Sequence, residues 1–247
     1  MNVFLPKSLY KFRRMWYDVI KSIRKGVTTM ELKNKVINFL GDSITEGHGT
    51  SNKEFTYWSV LGRETGAIVR GYGIGGTRFA KQTNPSANPR HDLDFIMRAK
   101  EMDKDVDMIV VFGGTNDFGH GDAPLGEFSD RENTTFYGAC HTLFTDLINM
   151  YPDATIVIMT PLHRCNEDNP RGDGFKANEV APLSTYVKII KEVAEYYSLP
   201  VLDMWAVSGI QPRVPVIKQK YCPDGLHPND AGHERMAAVI GAFLENL

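Results

Sequence analysis

The chain has 247 residues, 42% of them hydrophobic and 23% charged. That composition suits one large or two small globular domains and excludes a disordered or fibrous class. The net charge of −2 is unevenly placed: residues 1–29 hold seven Lys or Arg against Asp18, a net of +6, and the rest holds 21 basic and 29 acidic residues, a net of −8. A body this acidic argues against binding a phosphate backbone, so no nucleic-acid partner is expected.

Three cysteines, Cys140, Cys165 and Cys222, form no CxxC pair. They resemble neither a disulfide framework nor a zinc knuckle, and a reducing, cytoplasmic setting is the simplest reading. No apolar run approaches the roughly 18–20 residues of a membrane span. The basic N-terminus lacks an unbroken apolar stretch, so it does not read as a secretory signal.

In chain order, Leu5, Leu9, Phe12, Trp16, Ile20 and Ile23 recur at helical spacing among basic residues, which predicts an amphipathic helix over 5–25. Residues 1–30 are therefore set apart as a helical extension, and 31–247 as the main domain. The extension has three readings: packing on the body or on a second copy in a homo-oligomer, lying on an anionic membrane surface, or partial disorder. Strands are then expected at 35–40, 67–71, 107–112, 154–160 and 200–202. Helices are expected at 57–65, 92–102, 134–150, 178–197 and 230–247. The apolar runs do not alternate in polarity, as in a parallel sheet covered on both faces, and strand–helix alternation argues an α/β sandwich. Two long irregular stretches, 118–133 and 162–177, follow buried strands, where open α/β sheets place their ligand crevice.

Four short blocks carry candidate chemistry. GDSITEG at 41–47 puts Ser43 at a strand end leading into a helix, whose free N–H groups and partial positive charge favour a developing oxyanion; the plainer alternative is an N-cap by Asp42 or Ser43. GYGIGGTR at 71–78 has glycines that let backbone approach a ligand, or simply make a tight turn. GGTND at 113–117 offers the uncharged amide of Asn116 as an oxyanion donor, or as an Asx turn. DGLHPN at 224–229 places Asp224 three residues before His227, within reach of a ring that exchanges protons near neutral pH; a loop histidine beside a turn aspartate is the alternative.

Together, and in this order, the blocks resemble those of the SGNH (GDSL-like) serine hydrolases, over residues 35 to 247. The resemblance implies a flavodoxin-like, three-layer α/β/α sandwich with about five central parallel strands. It implies Ser43 as nucleophile, His227 as base, Asp224 as its orienting partner, and an oxyanion hole of the Ser43 and Gly76 N–H groups with the Asn116 amide. No cofactor and no metal are expected. Tyr72 and Thr77–Arg78 depart from common family residues and are expected at the pocket rim. The expected reaction is ester hydrolysis through an acyl-enzyme, with a small-molecule or carbohydrate ester as substrate. Short acyl groups are favoured, because Asp122, Glu127, Asp130 and Arg131 make the 118–133 stretch polar, with Phe118, Leu125 and Phe128 as its apolar members. Lipase, lysophospholipase and acyltransferase activities remain open, as does a flavodoxin-like phosphate- or flavin-binding module. His120, His141 and His163 lack ligand spacing and are expected in surface or loop roles. Arg171–Gly172–Asp173 is read as a loop coincidence.

Overall fold

The computed structural model describes residues 30–174 and 176–247. The helix expected at 5–25, and all of the extension but Met30, lie outside the described residues. The elements are β1 (Val36–Gly41), α1 (Ser43–Glu46), α2 (Tyr57–Thr65), β2 (Ile68–Gly73), α3 (Phe95–Ala99), β3 (Met108–Phe112), α4 (Thr115–Gly119), α5 (Phe136–Met150), β4 (Thr155–Met159), α6 (Leu183–Tyr196), β5 (Val201–Leu202), α7 (Met204–Val207), α8 (Pro215–Tyr221) and α9 (Asp230–Leu244).

The five strands are all parallel, in the order β2-β1-β3-β4-β5. Successive strand side chains point to opposite faces, and the two faces form two cores. Ile37, Phe39, Met108, Val110, Phe112 and Val157 pack with Tyr57, Val60 and Leu61 of α2 and with Met236, Ala237 and Ile240 of α9. Leu40, Ile109, Val111, Ile156 and Ile158 pack with Leu143 and Phe144 of α5 and with Ile189, Ile190 and Val193 of α6. The result is the expected three-layer α/β/α sandwich. The chain leaves β1 for β2, then returns past β1 to β3. A topological switch point therefore lies at the carboxyl ends of β1 and β3, where ligands enter such sheets.

Several boundaries differ from the sequence expectation for local reasons. The helix expected from 178 begins at Leu183, because Pro182 stands at its N-cap in an extended conformation and brings no N–H to a helix interior. The helix expected over 92–102 shrinks to α3. Asp94 caps it by accepting from Met97 N–H, while the Asp92 carboxylate is taken up by Ser86 and Arg78. Strand β2 is an edge with no buried residue, not a covered strand. Among the described residues no helix is long and apolar enough to cross a membrane.

Candidate active site

Each block identified in the sequence lies at the C-terminal edge of the sheet. At the end of β1, Asp42 caps α1 by accepting from Ile44 N–H at 3.0 Å. The cap reading of Asp42 is thus correct, and it turns Ser43 onto the first helical position. Burial drives the Asp42 carboxyl up to about 7, against the opposing pull of the Ile44 N–H and Arg98.

The last block comes from the far end of the chain. Ser43 Oγ lies 3.0 Å from His227 Nε2, although 184 positions separate the two residues. His227 Nδ1 lies 2.7 Å from Asp224 Oδ2. The other carboxylate oxygen, Oδ1, accepts from the backbone N–H groups of Leu226 at 2.8 Å and His227 at 2.7 Å. One oxygen therefore shapes the turn and the other holds the ring. A carboxylate can only accept, so the ring proton sits on Nδ1 and the Nε2 lone pair faces Ser43. Burial would raise the Asp224 carboxyl, but the two backbone N–H groups and the imidazole outweigh it and hold it below the ordinary range. Asn229 then caps α9 by accepting from Gly232 N–H, which anchors the turn to a helix that packs on α2.

The glycine block packs against the nucleophile. A Cβ built on Gly75 would stand 3.5 Å from Ser43 Cβ. Gly75 N–H is taken by Glu46 Oε2 at 2.6 Å, whereas no described group accepts from Gly76 N–H or from Ser43 N–H. Gly76 has φ +76°, and a Cβ there would lie 2.4 Å from His91 Cδ2, so both conformation and space require glycine. From the third block, the Asn116 amide donates one N–H to Thr77 O at 3.0 Å, and its second amide hydrogen remains for a ligand. Beside it, the buried Asp117 accepts from Phe79 and Ala80 N–H, which ties the glycine loop to α4. The three expected donors are thus brought into one neighbourhood.

Other expectations are corrected. Thr77 and Arg78 are not at a rim: both are buried, and Arg78 holds Asp92, Ser86 and the His91 carbonyl. Tyr72 reaches away from the site, where its hydroxyl accepts from Asp103 N–H. Phe118 is buried against Tyr186 and does not line a channel. Asp122 binds the backbone of Thr83 and Asn84, and Asp130 closes its own turn with Glu127 and Thr135, so both acids build loops. His141 is buried on α5, not at the surface, with Nδ1 3.0 Å from Tyr197 Oη. The Arg171–Gly172–Asp173 tripeptide does lie in a turn, with Asp173 tied inward, pairing with Arg164 and donating its N–H to Gly119 O.

The sequence reading missed the mouth of the site. His48 is exposed, its ring centroid 5.3 Å from that of His227. Glu46 pairs with the exposed Arg90, and this pairing with the Gly75 N–H outweighs burial and holds its carboxyl low. Glu46 lies inside the first block, yet only the fold brings Arg90 and His91 across to it.

A model of the GDSL-like lipase/acylhydrolase family matches residues 39–235, and the chain belongs to that family. One solved structure is 34% identical, covers 87% of this chain and 98% of its own, and superposes with a TM-score of 0.74. A protein from Lactobacillus plantarum is 29% identical over 86% of this chain and 97% of its own, with a TM-score of 0.72. A carbohydrate acetylesterase family member from Sinorhizobium meliloti shares the fold at 19% identity, covering 85% and 97%, with a TM-score of 0.57. No curated relative matches the chain.

Proposed function

We propose that this acylhydrolase is a serine esterase that removes short acyl groups, with acetylated carbohydrates as its substrate class. The observation that carries the reading is the unbroken relay from Asp224 Oδ2 through His227 to Ser43 Oγ, with contacts of 2.7 and 3.0 Å. Ser43 attacks the ester carbonyl as His227 Nε2 takes its proton. Asp224 holds the tautomer and stabilises the imidazolium. The oxyanion is received by the N–H groups of Ser43 and Gly76 and by the free hydrogen of the Asn116 amide. The imidazolium returns its proton to the departing alcohol. Water, deprotonated by the same ring, then cleaves the acyl-enzyme.

The substrate class is argued from the mouth. The side chains around Ser43 include His48, His91 and the Glu46–Arg90 pair, all able to hydrogen-bond a polyol. A long acyl chain calls for an apolar lining, and the Phe118 ring is packed in the core instead of lining the site. The fold shared with the acetylesterase family member accords with this choice.

The test is turnover of p-nitrophenyl acetate, butyrate and octanoate by wild type and Ser43→Ala. Short esters should be preferred, and Ser43→Ala should lose several orders of magnitude in kcat while keeping a residual rate from the oxyanion donors. Near-normal turnover by Ser43→Ala would refute the site, and a preference for octanoate would refute the substrate class.

A further inference from the structure

One buried cation bonds to the backbone at Gly41 and Tyr72, in the segments that carry Ser43 and Gly76, and to the hydroxyl of Thr77, whose carbonyl receives the Asn116 amide. Arg98 of α3 is 5% exposed, and its guanidinium carbon lies 4.6 Å from the centroid of the Phe95 ring. Nη1 donates to Gly41 O at 3.0 Å and to Tyr72 O at 2.7 Å. Nη2 donates to Thr77 Oγ1 at 2.8 Å, and Nε to Leu93 O at 3.0 Å. Every one of these acceptors is uncharged. Burial lowers the guanidinium to about 10, partly offset by Asp42 and Asp94, so it stays charged near neutral pH.

Stability alone is a poor reason for such a group. Burying a charge without a directly bonded counter-ion is costly, and even paired buried ions are often replaced by apolar side chains without loss. The acceptors suggest another reason. Gly41 O lies two residues before Ser43, on the strand that delivers it. Tyr72 O lies on β2, inside the glycine block and four residues before Gly76. Thr77 follows Gly76, and its carbonyl receives the Asn116 amide at 3.0 Å. The planar fork of arginine reaches these points at once, whereas a lysine offers a single nitrogen.

We propose that Arg98 is a positioning residue that sets the spacing of the Ser43, Gly76 and Asn116 donors by cross-linking the ends of β1 and β2 to the Thr77 turn. It touches no substrate. This inference rests on the acyl-transfer reading above, because a spacing matters only if an oxyanion forms there. The cross-link acts on the transition state and leaves ground-state binding alone, so its loss should appear in kcat and not in KM.

The test uses the full chain and its Arg98→Lys, Arg98→Met and Ser43→Ala variants. Three quantities are measured: Tm, the kcat and KM for p-nitrophenyl acetate, and the rate at which a fluorophosphonate labels Ser43 with loss of fluoride, read by mass spectrometry. Arg98→Lys should melt within a few degrees of wild type and keep KM. Its kcat and labelling rate should both fall about 10²-fold, the scale of losing one oxyanion donor. Arg98→Met should fall at least as far; should it not fold, Arg98→Lys decides alone. Wild-type kcat and labelling in a folded Arg98→Lys would overturn the proposal, as would a raised KM with kcat intact. Absence of labelling at Ser43 in the wild type, or undiminished turnover by Ser43→Ala, would instead overturn the acyl-transfer reading.

Discussion

Asp224→Asn separates the two tasks of one carboxylate. Oδ1 accepts the backbone N–H groups of Leu226 and His227, and Oδ2 faces Nδ1 of His227. An asparagine can keep its carbonyl oxygen on the two backbone donors and so keep the turn. Its amide then points hydrogens at Nδ1 and forces the ring proton onto Nε2, which no longer accepts from Ser43. The expected loss in kcat is about 10⁴-fold, as when the acid of a Ser–His–Asp triad is amidated. That is about 5.4 kcal/mol of transition-state stabilisation at roughly 1.36 kcal/mol per tenfold. Tm should barely move. Asp224→Ala should lose as much activity and also release both backbone donors. Because the Asp224 side chain is 54% exposed, water replaces part of that loss; about 1 kcal/mol remains, or roughly 2–4 °C in Tm for a chain of this size. The assay is p-nitrophenyl acetate hydrolysis beside thermal melts of both variants. An Asp224→Asn enzyme within tenfold of wild type would show that the 2.7 Å contact only closes a turn, and the relay would be refuted.

Asn116→Ala should cost roughly 10²–10³-fold in kcat, and an unchanged kcat would remove Asn116 from the oxyanion hole. Gly76→Ala should destabilise the fold by about 1–2 kcal/mol through its left-handed φ and lower kcat. Trimming the clashing ring in Gly76→Ala/His91→Ala should recover part of the activity, and no recovery would mean that strain, not the ring, disables the loop. For pH, His233 Nδ1 accepts Tyr57 N–H at 2.9 Å in a buried setting, and burial lowers its pKa to about 4. The unfolded chain protonates this histidine first. Its contribution is therefore complete above about pH 6.5 and is lost as pH falls from there towards 4. The fall in Tm between pH 7 and 5 should be shallower for His233→Gln than for wild type, and equal slopes would exclude His233 as a cause.

What the sequence discloses about this protein is what is local. Ser43, Asn116, Asp224 and His227 each sit in a short block next to a strand end or a helix start, so a few adjacent residues place them. The five strands were equally legible, because short β-branched runs between helical patterns are hard to read otherwise. The buried charges were not legible. Arg98 looks like any basic residue on a short helix until α3 packs beneath β1 and β2. Glu46 gains its role only when the loop after β2 brings Arg90 to it. Asp122 and Asp130 looked like pocket lining because composition does not tell which carboxylates are consumed by their own loops. The late start of α6 at Leu183, by contrast, was open to reading, since Pro182 marks it.

The 184-residue separation between Ser43 and His227 has a consequence for how the molecule is made. Ser43 leaves the ribosome well before its partner: at about 5–20 residues per second, the gap is roughly 10–40 s. Throughout that interval the serine stands on a sheet that is still being assembled, without His227. Under the proposed mechanism its chemistry begins only once α9 has docked and drawn the Asp224–His227 turn over it. On that mechanism the order of synthesis keeps the serine without its relay until the domain is whole.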